Sequence, residues 1–277
     1  FAEVFKLGID IAEKDGSDLV IATDPDADRV GVVTRTSNGD FMTITGNQMG
    51  ALLIDYIISA YEKTGTMPSE PYVVKSIVST ELASKICKAH GVTIHNVLTG
   101  FKFIGEVIKK YEAEGHGTFI FGFEESYGYL KGTYARDKDA VVASMLITEM
   151  TAYYKSKNMT LFDALGDLYA RYGFSAEQNL EVNMDGLDGP EKMKALMVSL
   201  RENPPKEFGK AAVTTVGDYN TGLFTSLLTG EKTPTGLPKS DVLYYILDCG
   251  DVIVVRPSGT EPKVKFYFLT SGKDKSE

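Results

Sequence analysis

An apolar run that ends in three evenly spaced aspartates is the feature of this sequence that most constrains its fold. The run Leu19–Ala22 predicts a buried strand, and Asp24, Asp26 and Asp28 follow it closely. The loop would then lie at the C-terminal end of a strand, where α/β proteins place their ligands. Clustered carboxylates repel one another, so the pattern predicts a bound cation, and oxygen ligands favour Mg²⁺.

Other proteins also use closely spaced aspartates. An EF-hand needs glycine and glutamate where this loop has Arg29 and Arg35, so an EF-hand is excluded. The aspartyl-phosphatase pattern D-x-D-x-[TV] fits residues 26–30, and an aspartate can accept a phosphoryl group. The phosphatase interpretation and a simple solvated acidic turn therefore both stay open.

The order of predicted elements indicates an α/β protein with three parts. Residues 1–66 are expected to form an incomplete parallel-sheet α/β domain, with a hairpin turn at Ser37–Asp40. Strands and helices alternate in residues 67–172, which predicts a parallel sheet covered by helices. Strands dominate residues 173–277, where we expect a smaller α+β domain with an antiparallel sheet.

Composition narrows the function classes. A net charge of −9 argues against a general nucleic-acid binder, and Asp55 interrupts the apolar stretch Ala51–Ile54 long before a membrane span. Cys87 and Cys249 are too few for a disulfide framework and favour a cytoplasmic location. A helical period starts at Phe1, so we expect a piece of a longer protein.

Two more loops follow predicted strands or precede predicted helices in the middle of the chain. Glu124 and Ser126, within Gly122–Gly128, have the groups to hydrogen-bond sugar hydroxyls, although an acidic turn is the simpler alternative. Lys138 precedes a long helix that Asp139 would cap, and it is a candidate phosphate contact or acid/base group. A solvated charged loop is the alternative for Lys138.

A phosphate-binding loop is predicted near the end of the chain. Arg256 offers a bidentate fork, Ser258 and Thr260 offer hydroxyls, and Gly259 allows close approach of backbone N–H groups. The nucleotide P-loop pattern is absent, and a plain hairpin turn fits the position as well. Lys102, after Thr99 and Gly100, is a further candidate anion contact.

These loops, in this order, resemble the α-D-phosphohexomutase family of phosphoglucomutases and phosphomannomutases. The resemblance rests on five segments that together span the chain: Asp24–Arg29, Thr99–Lys102, Gly122–Gly128, Arg136–Asp139 and Arg256–Lys263. The Gly122–Gly128 segment is most similar to the longer bacterial phosphoglucomutases. By this resemblance, residues 1–66 would be the C-terminal part of family domain two, residues 67–172 domain three and residues 173–277 domain four.

The resemblance also implies a role for each motif residue. Asp24, Asp26 and Asp28 would hold Mg²⁺, and Arg29 and Lys138 would be catalytic. The implied substrate contacts are Thr99, Gly100, Lys102, Glu124, Ser126, Arg136, Arg256, Ser258, Gly259 and Thr260. The family nucleophile, a phosphoserine in the first domain, has no counterpart in this sequence, so the missing N-terminal domain is an expected partner and the isolated chain is expected to be inactive.

The implied reaction interconverts glucose 1-phosphate and glucose 6-phosphate, with glucose 1,6-bisphosphate as intermediate and activator. A hexose phosphate would be the substrate, and neither a nucleic acid nor a membrane is an expected partner. Phosphomannomutase and phosphopentomutase are alternatives within the family. A non-catalytic sugar-phosphate-binding module and an aspartyl-type phosphatase are the alternatives from other classes.

Overall fold

The first sheet contains the strands on either side of the aspartate loop. The elements here are α1 (Ala2–Asp15), β1 (Leu19–Thr23), β2 (Val30–Arg35) and β3 (Phe41–Ile44). Both neighbouring pairs are antiparallel, so the prediction of a parallel sheet in residues 1–66 is wrong for these strands. The reason is connection length: short loops can join antiparallel neighbours, whereas parallel neighbours need a crossover of about a dozen residues or more. The hairpin turn predicted between β2 and β3 is confirmed.

The computed structural model describes residues 2–259 and 261–273. The described chain forms two compact units, a first unit of residues 2–174 and a second unit of Ser175–Lys273. Each unit is described by itself below. No helix within the described residues is long and apolar enough to cross a bilayer.

A second, mixed sheet forms the centre of the first unit. Its elements are α2 (Gly46–Thr64), β4 (Pro71–Ser76), α3 (Glu81–Ala89), β5 (Thr93–Val97), α4 (Phe101–Glu114), β6 (Thr118–Glu124), β7 (Gly128–Leu130), α5 (Ala140–Lys155) and α6 (Leu161–Tyr172). The strand order is β5-β4-β6-β7, with the first three strands parallel and β7 antiparallel to β6. The parallel sheet expected in this region is therefore present, and the C-terminal ends of β4, β5 and β6 meet at one edge.

Helices cover both faces of this mixed sheet. Helix α4 packs on one face, and α2, α3, α5 and α6 form the larger core on the other. A capping box starts α2, in which the side chains of Thr45 and Gln48 each accept the other residue's backbone N–H. A Cβ atom on Gly46 would overlap the carbonyl oxygen of Glu125, so the start of α2 fits directly against the turn after β6.

An antiparallel sheet dominates the second unit. Its elements are β8 (Phe174–Asn183), α7 (Gly189–Glu202), β9 (Glu207–Phe208), β10 (Ala211–Asp218), β11 (Leu223–Ser226), β12 (Lys232–Pro234), β13 (Leu243–Leu247), β14 (Val252–Pro257) and β15 (Lys263–Gly272). The order is β12-β11-β10-β13-β14-β15-β8, and the pairs from β12 to β15 are antiparallel. Met197 of α7 packs into the core of this sheet, as expected for an α+β fold.

Candidate active site

The aspartate loop, residues 24–29, is closed by its own hydrogen bonds. Oδ1 of Asp24 accepts the backbone N–H groups of Asp28 at 3.1 Å and Arg29 at 2.9 Å. Ala27 adopts a left-handed backbone with φ of 55°, and its N–H donates to the Asp24 carbonyl at 3.0 Å. The turn brings Asp24, Asp26 and Asp28 together, with one oxygen of each carboxylate within 4.8 Å of the others.

The donor set of this loop fits a divalent cation. Carboxylate oxygens are the ligands that Mg²⁺ prefers, and Mg²⁺ usually keeps several of its waters, which the exposed position of Asp26 permits. Desolvation acts to raise the pKa of Asp24, but the N–H groups of Arg29 and Asp28 outweigh it and hold that pKa below its usual value. Asp24 is therefore ionised at neutral pH.

Lys138 faces the aspartate loop. Its Nζ lies 2.9 Å from Oδ2 of Asp28 and 2.8 Å from Oδ1 of Asp137, and 5.6 Å from the ring centroid of Phe101. Desolvation acts to lower the pKa of Lys138, but the two carboxylates outweigh it and raise the pKa above its usual value. Lys138 is therefore a cation at neutral pH, which suits a phosphate contact or a proton donor better than a general base.

Backbone hydrogen bonds fix the aspartate loop against two neighbouring loops. The Val30 N–H donates to the Tyr127 carbonyl at 3.1 Å, and Arg29 and Gly128 form an isolated antiparallel bridge. The N–H of Ala140, in the first turn of α5, donates to the carbonyl of Ala27 at 3.0 Å. Three segments therefore meet in one place within the first unit: the aspartate loop, the Glu124 loop (Gly122–Gly128) and the Lys138 loop (Arg136–Asp139).

The start of α5 is held by Asp139, as the sequence predicts. Its Oδ1 accepts the N–H groups of Val141 at 2.7 Å and Val142 at 3.1 Å. Because Lys138 immediately precedes this cap, the cap also fixes the backbone from which the lysine side chain extends. The segment Lys138–Asp139 thus both caps the helix and positions the lysine.

Glu124 connects the ends of β6 and β5. It is 6% exposed, and its Oε1 accepts the backbone N–H of Gly100 at 2.6 Å. Gly100 has φ of 122°, a left-handed value that side chains disfavour, so a glycine suits this turn. The structure therefore brings Glu124 to the Thr99–Gly100 turn. Lys102, in the first turn of α4, is exposed, and its Nζ lies 4.8 Å from the ring centroid of Phe103.

Ser126 and Arg136 have different surroundings. Ser126 is half-buried in the tight turn between β6 and β7, next to Tyr127, which has φ of 69°. The guanidinium of Arg136 donates to Glu112 of α4 and to the carbonyl of Thr133. The structure therefore joins Arg136 to α4, and within the described residues Arg136 forms no hydrogen bond or ion pair with the aspartate loop.

A buried polar group beneath the Glu124 loop was absent from the sequence-based prediction. Lys75 at the end of β4 is fully buried, and its Nζ bonds to Glu81 at 2.9 Å and to the Ser79 carbonyl at 3.1 Å. Ser76 donates to Oε2 of Glu125 at 3.1 Å. The available signal was the position of Lys75 directly after the apolar run Tyr72–Val74, since a lysine in a buried strand almost always has a partner.

The predicted phosphate loop lies in the second unit, between β14 and β15. Arg256 is half-buried, and no ion pair is recorded for it among the described residues. The Ser258 N–H donates to the Lys263 carbonyl at 2.8 Å. Gly259 is exposed, and a Cβ atom added to it would meet no atom of the other described residues within 4 Å. Nζ of Lys263 forms an ion pair with Oε2 of Glu181 at 2.8 Å. Thr260, the remaining predicted contact, lies outside the described residues.

Comparison with known proteins identifies one family by sequence. Residues 45–172 match the family described as phosphoglucomutase/phosphomannomutase, alpha/beta/alpha domain III. A phosphoglucomutase of Staphylococcus aureus (strain MSSA476) is 38% identical over 263 residues, which are 95% of this chain and 46% of that protein. The chain thus spans about half the length of the curated relatives it matches.

Two solved structures share the fold at low identity. The pp63/parafusin phosphoglucomutase from Paramecium, in an open form, gives a TM-score of 0.65 at 16% identity, over 94% of this chain and 42% of that one. The Aspergillus fumigatus N-acetylphosphoglucosamine mutase, in complex with GlcNAc-6P and magnesium, gives 0.51 at 14% identity, over 94% of this chain and 46% of that one. The chain belongs to the α-D-phosphohexomutase family.

Proposed function

We propose that this chain provides the metal, sugar and phosphate contacts of a phosphoglucomutase that interconverts glucose 1-phosphate and glucose 6-phosphate through a bisphosphate. The observation that carries the proposal is the cluster of Asp24, Asp26 and Asp28, faced by the ammonium of Lys138 at 2.9 Å. A carboxylate cluster with an adjacent fixed cation suits phosphoryl transfer, in which catalysis depends on position and charge. The glucose preference rests on the identity to a phosphoglucomutase.

The proposed division of labour follows the loops. Mg²⁺ held by the three aspartates would neutralise charge on the phosphoryl group during its transfer. Lys138 would hold a proton beside the reacting oxygen, and Arg29 would contact the transferring phosphoryl group. Glu124 and Ser126 would orient sugar hydroxyls.

The remaining predicted contacts complete the proposal. The residues assigned to substrate phosphate or its surroundings are Thr99, Gly100, Lys102, Arg136, Arg256, Ser258, Gly259 and Thr260. Among them Arg256 would provide a bidentate fork for the non-transferring phosphate. Arg136 would have to leave its contact with Glu112 to reach a substrate phosphate.

The phosphoryl-donating serine would come from the part of the protein that corresponds to the upstream half of the relatives. Residues 1–66, 67–172 and 173–277 would then be the end of domain two, domain three and domain four. The free thiols of Cys87 and Cys249 fit the proposed cytoplasmic location.

A chimera tests the proposal. The upstream half of the Staphylococcus aureus phosphoglucomutase is joined to this chain and assayed for conversion of glucose 1-phosphate, with Mg²⁺ and a trace of glucose 1,6-bisphosphate. We expect activity in the chimera, loss of activity in the Asp26→Ala chimera, and none in the isolated chain. Circular dichroism establishes that each protein is folded.

Each other outcome supports a different function. A folded chimera that binds glucose 1-phosphate but never converts it would support a non-catalytic binding module. Phosphate release by the isolated chain, lost in Asp26→Asn, would support the aspartyl-phosphatase alternative. Faster conversion of mannose 1-phosphate than of glucose 1-phosphate would keep the family and change the substrate.

A further inference from the structure

A second concave site lies at the far ends of helices α2 and α5. This helix-end cavity has a volume of about 510 Å³ and lies between the C-terminal halves of α2 and α5 and one face of α6. Its lining begins at Asp55 of α2 and Tyr153 of α5, whereas these helices start beside the candidate active site at Gly46 and Ala140. At about 1.5 Å per residue, the cavity is at least roughly 13 Å along the helix axes from those starts.

Two lysines of the lining place their ammonium groups near the same tyrosine ring. Nζ of Lys63 lies 5.5 Å, and Nζ of Lys157 4.1 Å, from the ring centroid of Tyr153. Lys157 also donates to the hydroxyl of Tyr153 at 2.6 Å. Within the part of the chain that the structure describes, neither lysine forms an ion pair with a carboxylate. The two charges therefore remain available to an anion.

The other charged groups of the lining do not cancel this pair. Arg171 and Asp55 are joined by two hydrogen bonds of 2.9 and 2.8 Å and neutralise each other. Asp167 is the one further carboxylate, so three cationic side chains stand against two carboxylates in a chain of net charge −9. A local excess of positive charge in an acidic protein favours an anionic ligand.

Apart from the hydroxyls of Ser59 and Thr64, the rest of the lining is aromatic and apolar. Five residues form the part of the lining that we call the floor: Tyr56, Ala60, Tyr154, Met159 and Ala164. Tyr56 and Ala164 are buried, with 8% and 2% of their surface exposed. Tyrosine rings pack well against other flat rings. The volume is within the range of about 300–1,000 Å³ that is usual for small-molecule sites.

We propose that the helix-end cavity binds a small aromatic anion, with its acidic group at Lys63 and Lys157 and its ring on the tyrosine-rich floor. The site is separate from the candidate active site, so this proposal does not depend on the mutase function. A flat neutral compound would gain the floor contacts alone, and a non-aromatic anion would gain the lysine contacts alone. The aromatic anion gains both.

A matched pair of dyes measures the two contributions. Anilinonaphthalene sulfonate carries an anionic group, and phenyl-naphthylamine has the same rings without it. Fluorescence titration measures the affinity of each dye for the wild-type chain, for Lys63→Gln/Lys157→Gln and for the cavity-filling variant Ala60→Leu. The control is Lys88→Gln/Lys109→Gln, which removes two exposed lysines elsewhere in the first unit. Thermal unfolding confirms that each variant is folded.

We expect Lys63→Gln/Lys157→Gln to weaken the sulfonate dye roughly tenfold, the size of one or two charge-assisted contacts, and to leave the neutral dye unchanged. Ala60→Leu should weaken both dyes, and the control should weaken neither. In methyl-labelled protein, the Met159 resonance, assigned with Met159→Leu, should shift on addition of the sulfonate dye. Excess glucose 1-phosphate should not reverse that shift.

Two results would overturn the proposal. One is an equal loss of sulfonate-dye affinity in the Lys63→Gln/Lys157→Gln and control variants, because the dye would then bind another surface. The other is an unmoved Met159 resonance at saturating dye. A shift of Met159 that glucose 1-phosphate reverses would also contradict the proposal, since the cavity would then be a sugar-phosphate site.

Discussion

The ammonium of Lys138 lies 2.9 Å from Oδ2 of Asp28, so a fixed positive charge already faces the carboxylates that are proposed to hold a metal. The side chain of Lys138 is only 11% exposed, which limits screening of this pair by water. Because Lys138 stays protonated, it and a divalent cation would repel each other across Asp28. The lysine should therefore weaken metal binding while it serves the reaction.

Removing this charge separates the two effects. We expect Lys138→Gln to bind Mg²⁺ several-fold more tightly, since a repulsion of roughly 1 kcal/mol is lost, and to reduce mutase activity in the chimera at least tenfold. Calorimetry measures Mg²⁺ affinity in the chain. Lys102→Gln, which removes an exposed lysine of α4, is the control and should leave Mg²⁺ affinity unchanged. Weaker Mg²⁺ binding by Lys138→Gln would contradict the proposed repulsion.

Gly128 should matter for the position of Lys138. A Cβ atom at Gly128 would overlap Cδ of the lysine and lie 2.7 Å from its Cγ, so Gly128→Ala must push the lysine stem aside. Because that stem is flexible, the fold should lose little stability. We expect Gly128→Ala to reproduce the tighter Mg²⁺ binding and the lower chimera activity of Lys138→Gln.

Gly166 provides the matched control for this substitution. It lies in helix α6, and a Cβ atom added to it would meet no other atom within 4 Å among the described residues. Gly166→Ala should therefore raise the free energy of unfolding by about 0.5–1 kcal/mol and leave Mg²⁺ affinity alone. Urea unfolding measures the stability of both variants. Unchanged Mg²⁺ affinity in Gly128→Ala would show that the absence of a side chain at Gly128 does not determine the position of the Lys138 ammonium.

Local chemistry accounts for what the sequence predicted well. The sequence pattern predicts helices over Glu81–Ala89, Leu161–Tyr172 and Gly189–Glu202, the structure has helices with these bounds, and Asp139 caps α5 as expected. The three aspartates come together because a six-residue turn leaves them few alternatives. Each of these features depends on residues close in sequence, so a pattern of side chains is enough to predict it.

Long-range packing accounts for what the sequence did not predict. The apolar pattern predicts that the second helix starts at Ala51, whereas α2 starts at Gly46, because two glycines in its first turns weaken the helical pattern. Those glycines are explained only by the turn at Glu125 and the ring of Phe123, distant in sequence, against which the helix packs. The apolar run Tyr72–Val74 indicates that Lys75 is buried, but its partner Glu81 is identified only by the structure.

The phosphate loop provides a prediction for the second unit. Arg256→Lys keeps the charge but loses the bidentate fork, so the chimera should bind glucose 1-phosphate more weakly by about 1–3 kcal/mol. Arg201→Lys is the control, because Arg201 pairs with Asp218 and Asp241 within the same unit. The Michaelis constant and the specificity constant of both chimeras are compared. If Arg256→Lys changes neither constant, Arg256 has no role in phosphate binding.

The pair of Lys75 and Glu81 makes a further prediction about stability. Lys75 is fully buried, whereas the side chain of Glu81 is 39% exposed, so the two partners are not equivalent. Glu81→Gln leaves the buried ammonium of Lys75 without its counter-ion, although the amide oxygen can still accept a hydrogen bond. We expect a loss of roughly 2 kcal/mol in the free energy of unfolding, below the roughly 3–5 kcal/mol of a fully buried pair. Lys75→Met removes the buried charge, and Glu81 can then be solvated, so its loss should be smaller.

The pH dependence of unfolding tests the same pair independently. Desolvation acts to raise the pKa of Glu81, but the charge of Lys75 outweighs it, so the folded pKa lies below the unfolded one. The stability from this pair is then complete above the unfolded pKa and is lost as the pH falls through the folded pKa. Urea unfolding between neutral and acidic pH should show this loss in the wild type and less of it in Lys75→Met. An identical pH dependence in the two proteins would mean that the pair contributes no net stability.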